Sequence, residues 1–65
     1  MYPMSYASFT REGRSVGLVW ADSTERVVSV LGDLPDSWLR TDATVARIRL
    51  DRAGWELVSE GKVEE

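Results

Sequence analysis

Thr44-Val45-Ala46-Arg47-Ile48-Arg49-Leu50-Asp51-Arg52-Ala53-Gly54-Trp55-Glu56-Leu57-Val58-Ser59 is the stretch whose reading decides the fold. Its first half alternates: Thr44, Ala46, Ile48 and Leu50 on one parity, Val45, Arg47, Arg49 and Asp51 on the other. Period two is the signature of a half-buried strand. A helix over the same residues would place Arg49 within the apolar stripe and Ile48 outside it. Asp51-Arg52-Ala53-Gly54 then suits a type I turn closed by a left-handed glycine, with Asp accepting local backbone N–H bonds. Residues 44–59 therefore read as a hairpin. In its register Asp51 faces Trp55, Arg49 faces Leu57 and Ile48 faces Val58. Ala46, Ile48, Leu50 and Val58 turn to the core, and Val45, Arg47, Arg49, Trp55 and Leu57 turn outward.

Working outward, residues 5–11 and 15–21 read as two further strands about Glu12-Gly13, glycine supplying the positive φ of a tight turn. A two-residue loop puts Ala7 and Phe9 on one face with Val16, Leu18 and Trp20. Tyr6, Ser8, Thr10, Ser15 and Val19 fall on the other, and a slip of one residue would mix the two sets. Asp22-Ser23-Thr24-Glu25 has the capping and acidic residues of a helix start, with Val27, Val28, Leu31 and Leu34 near helical spacing and Gly32 as a stop. The β-branched valines argue for a strand instead; the short helix is preferred over 24–32. Residues 34–39 form a connector with one helical turn after Pro35, and 60–65 an acidic frayed tail. The expected fold is a small α+β domain covering residues 1–65, hairpin–helix–hairpin, with an antiparallel sheet of about four strands. The alternative is a mainly-β five-strand barrel-like meander.

Gly54-Trp55-Glu56-Leu57-Val58 resembles the ending of a small bacterial family of unknown function, in which that segment follows a helix. The resemblance covers only these residues, and the period of 44–51 is followed here.

Chemistry is sparse. The 65 residues hold no Cys and no His, which removes disulfides, Cys/His zinc sites and the commonest catalytic base and nucleophile. Lys62 lies in the expected tail. Asp33, Asp36 and Asp42 have neither the spacing nor the loop glycine of a calcium-binding loop, and Asp33 and Asp36 read as turn and cap residues. Glu12-Gly13-Arg14 is no phosphate-binding motif. The chain is expected not to be an enzyme and to need no cofactor or metal. Seven Arg against one Lys, with no Asn or Gln, point to GC-rich coding of the kind an actinobacterium or its phage carries.

The formal charge of −3 gives no general attraction to phosphate or anionic lipid. No segment approaches the ~20 apolar residues of a membrane span, and Met1-Tyr2-Pro3-Met4-Ser5 has neither basic region nor apolar run. The expected address is the cytoplasm. A surface joining Val45, Arg47, Arg49, Arg52, Trp55 and Leu57 has the composition in which interface hot spots are enriched. The plainer reading of those residues is Arg stems lying across Trp, worth roughly 0.5–1 kcal/mol at an exposed site. Trp20 and Trp38 are assigned to the core. The expected function is a protein-interaction module acting through that face. Two alternatives stand beside it: nucleic-acid binding, with Arg14, Arg47, Arg49 and Arg52 on phosphate and Trp55 stacking, or self-assembly through an edge strand at 5–11.

Overall fold

The computed structural model describes residues 3–63. β1 (Met4–Arg11) and β2 (Arg14–Ala21) form the expected hairpin. Glu12 and Gly13 close it with φ of 50° and 77°, both positive as a type I′ turn requires. The register pairs Phe9 with Val16 and Ala7 with Leu18, and all four are buried. β3 (Val27–Gly32) pairs with β2, and β4 (Glu56–Val63) with β1. The result is one open antiparallel sheet in the order β3-β2-β1-β4. α1 (Ala43–Arg52) crosses one of its faces. The architecture is thus a small α+β fold, with its elements in the order β-β-β-α-β.

The structure corrects the two central assignments. Residues 43–52 are a helix, because three side chains suffice to seat it: Ala43, Ala46 and Leu50, spaced three and four apart and all buried. Ile48, expected in the core, is left 46% exposed. Asp42 caps the helix, its Oδ1 accepting the Thr44 N–H at 2.9 Å and the Val45 N–H at 3.3 Å. The other end closes with the paired bonds of a Schellman motif: Trp55 N–H to the Leu50 carbonyl at 3.0 Å, Gly54 N–H to that of Asp51 at 3.1 Å. Gly54 (φ 93°) is left-handed as expected; it ends a helix rather than a hairpin loop. A helix does precede Gly54-Trp55-Glu56-Leu57-Val58, as in the family that segment resembles.

Residues 27–32, read as the end of a helix, are strand. The β-branched Val27, Val28 and Val30 prevail over the capping residues before them. Asp22 to Glu25 form a turn in which the Glu25 N–H reaches the Ala21 carbonyl at 2.7 Å and Glu25 itself takes φ 57°. β4 continues through Val63 and replaces the expected tail over 60–63; Glu64 and Glu65, like Met1 and Tyr2, lie outside the described residues. β1 is flanked on both sides, so residues 5–11 offer no edge, and the sheet stays open rather than closing into a barrel. The connector does hold one helical turn, Asp36–Trp38.

Ala7, Phe9, Val16, Leu18, Val27, Ala43, Ala46 and Leu50 form the core, with Trp20, Val30, Leu34, Trp38 and Trp55 packed at its margin. All of it lies between α1 and one sheet face. The opposite face has no covering element among the described residues. Among the described residues, no helix is long and apolar enough to cross a membrane.

Candidate interaction surface

The six residues expected to form one patch are divided by the helix. Successive positions turn by about 100°, so Val45, Arg49 and Arg52 share the stripe that points away from the sheet. Val45 is 42% exposed, and both arginines are exposed. Arg47 is on the flank. Its guanidinium lies 5.6 Å from the Trp20 ring centroid and its Nη2 is 3.1 Å from Glu60 Oε1. The cation–π contact foreseen for an arginine over Trp55 is therefore made on Trp20. Trp55 is half-buried against the core, held there by the Schellman bond to Leu50. It leaves the outer surface.

Leu57 stays exposed, at 45%. It pairs with Phe9 on the helix side of the sheet, where it meets Ile48. Phe9, Arg47, Ile48, Asp51 and Leu57 line a shallow depression of about 260 Å³. The surface that the structure assembles is thus Val45, Ile48, Arg49, Arg52 and Leu57. Ile48 was assigned to the core by its parity in a strand; read at helical spacing, it belongs to the exposed face with Val45. α1 carries three arginines against the single Asp51, a local excess of positive charge on a chain whose net charge is negative.

A second polar cluster gathers at the other end of the sheet. Asp22, in the β2–β3 turn, accepts from the Ser5 hydroxyl at 2.5 Å and pairs with Lys62 Nζ at 2.7 Å. The Lys62 ammonium first, and the Ser5 hydroxyl second, hold the Asp22 carboxyl below its usual range. These three residues tie β1, the β2–β3 turn and β4 together. Placing Lys62 in a tail had hidden the pairing. Asp42 is engaged as the helix cap, and among the described residues no three His, Cys, Asp or Glu side chains converge on a metal-sized space.

Comparison with protein-family models, curated proteins and solved structures returns no match. The surface must be read from its own chemistry. Aliphatic side chains ringed by guanidinium groups can dock an apolar side chain and pair with carboxylates beside it.

Proposed function

We propose that the protein is a small non-enzymatic interaction module. It binds a protein partner through the exposed stripe of α1 and the adjoining start of β4. The observation that supports this most is the grouping of half-exposed Val45, Ile48 and Leu57 beside Arg49 and Arg52. Val45 and Ile48, at i and i+3 on this stripe, leave a large part of their apolar surface in solvent, outside the core of their own chain. The partner this chemistry fits presents an apolar side chain flanked by Asp or Glu.

The test is capture of binding partners from the source organism by the immobilised protein, compared with Ile48→Asp/Arg49→Glu. Both positions are exposed, so the variant is expected to keep the native circular dichroism and lose the captured protein. Trp55, half-buried, would confuse folding with binding and is left intact. Equal capture by the two proteins refutes the proposal. Salt-sensitive affinity for DNA or RNA tighter than ~100 µM would replace it with nucleic-acid binding.

A further inference from the structure

The face of the sheet opposite α1 is blank of charge almost throughout. The register places Tyr6, Ser8, Gly17 and Val19 on it from β1 and β2. Leu31 joins them from β3 and Gly61 from β4. Glu56, opposite Thr10 at one corner, is its one charged side chain among the described residues. Charged residues make up 29% of the chain, and the helix side of the same strands holds Arg11, Arg14, Glu60 and Lys62. A solvated sheet face turns polar side chains outward; here the polar groups are hydroxyls, of Tyr6, Ser8, Thr10, Ser15, Ser29 and Ser59, which unlike charges can be buried against a second layer once hydrogen-bonded.

Its relief is symmetric in a particular way. Leu31, Gly17, Ser8 and Ser59 lie in one row across the four strands. A bulge in β4 opposite Ser8 and Phe9 brings Val58 to the end of that row. Leu31 and Val58 are 56% and 63% exposed and stand at opposite edges. Between them the floor dips to Ser8 and Gly17, a depression of about 330 Å³.

We infer that this face is covered by a second copy of the chain, stacked sheet to sheet about a two-fold axis. An axis running along the strands, between the sheets, sets Leu31 of one copy against Val58 of the other, twice. Ser8 and Gly17 then meet at the centre, where small side chains let two backbones approach. The contact is isologous, so each edge finds its complement in the same surface. Like charges stay at the rim, which matters for two copies that each carry −3. Four strands at ~4.8 Å spacing and up to eight residues at ~3.3 Å make a face of at most roughly 500 Å². Two copies bury up to roughly 1,000 Å², the size of a weak, concentration-dependent association. A chain this short, with its core on one side of its sheet, is also of the size that commonly gains stability by association.

Sedimentation equilibrium between about 1 µM and about 500 µM spans the range over which a small interface fills. The expected limiting mass is twice the 7.3 kDa of the chain. Leu31→Glu is expected to return the single-chain mass with native circular dichroism, whereas Ile48→Glu, on the helix side, leaves the dimer intact. Because the chain has no cysteine, Ser8→Cys supplies a unique thiol. Across a sheet spacing of ~10 Å a bis-maleimide of similar reach should join two copies, and the same reagent on Thr44→Cys should join none. A single-chain mass at the highest concentration overturns the inference. So does a dimer that persists in Leu31→Glu, or cross-linking at Thr44→Cys and not at Ser8→Cys.

Discussion

Leu50→Ala and Ile48→Ala, compared in one experiment, test the assignment on which both surfaces depend. In a strand, the two positions share a face and their truncation costs alike. In the helix they part: Leu50 is 2% exposed and closes the core under the Schellman turn, whereas Ile48 is 46% exposed. Truncating a fully buried leucine costs about 2–5 kcal/mol, from lost transfer energy and the cavity left behind. Truncating a half-exposed isoleucine loses about 1 kcal/mol of burial, of which about 0.4 kcal/mol returns as helix propensity. The expected difference is therefore about 2–4 kcal/mol. A domain of this length has a total stability of roughly 3–10 kcal/mol, so Leu50→Ala is expected to lose a large fraction of it and lower the urea midpoint steeply, while Ile48→Ala keeps a midpoint close to that of the parent. Urea titrations by tryptophan fluorescence and far-ultraviolet circular dichroism supply both numbers. They should be run at low micromolar concentration, where self-association adds nothing to the apparent stability. Equal losses from the two substitutions would refute the helix and restore the strand.

Asp42→Ala removes the cap of α1 and is expected to cost about 1 kcal/mol in the same titration, with loss of helical dichroism at intermediate urea. Gly13→Ala and Gly32→Ala both place a side chain at positive φ, 77° and 81°. A Cβ at Gly13 meets open space and should cost about 1 kcal/mol, whereas one at Gly32 collides with the Ser15 carbonyl and should cost at least ~3 kcal/mol. The Asp22 carboxyl, lowered from its ordinary 3.8 by Lys62 and Ser5, stabilises the fold above that value and ceases to do so as pH falls through its lowered folded value. The urea midpoint of the parent should therefore exceed that of Asp22→Asn at neutral pH, and the gap should narrow progressively as pH falls below 3.8.

The β1–β2 hairpin was legible because two independent signals agree in it. Glu12-Gly13 permits a two-residue turn, and only the resulting register collects Ala7, Phe9, Val16 and Leu18 on one side. The α1 segment carries conflicting signals. Arginines interleaved with Ala46, Ile48 and Leu50 alternate whatever the backbone does, and a helix seated on two alanines and one leucine has a faint apolar stripe. The deciding signals were local: Asp42 two residues before Thr44, and the strong helix propensities of Ala, Arg and Leu. Gly54 could not arbitrate, since a right-handed turn closed by a left-handed glycine ends a helix as readily as it joins two strands. The error at 24–32 is the converse, with capping residues weighed above three β-branched valines. Together the two errors exchange helix and strand while keeping four strands and one helix, so the fold class survives and the order of elements does not.

The interaction surface inherits that exchange. Val45, Arg49 and Arg52 remain together because i, i+4 and i+7 align on a helix, and Trp55 is lost to the core. Ile48 is gained because parity no longer governs it. The open sheet face, by contrast, depends mainly on the part of the sequence that was read correctly. Tyr6, Ser8, Thr10, Ser15 and Val19 were sorted to one side, away from the apolar set of Ala7, Phe9, Val16, Leu18 and Trp20. A solvent face in a chain this rich in charge is expected to carry Lys, Arg, Asp or Glu at alternate positions, as the helix side of the same sheet does at Arg11, Arg14, Glu60 and Lys62. Hydroxyls and glycine pack closely where charges cannot, and the Tyr6 hydroxyl finds a partner within the face, 3.2 Å from Ser59 Oγ. Four strands contribute to this face, and β4 adds Val58 to it only by means of a bulge. Small uncharged side chains in the middle and aliphatic ones at both edges are what a sheet needs to bury a second layer, and α1 covers the other side.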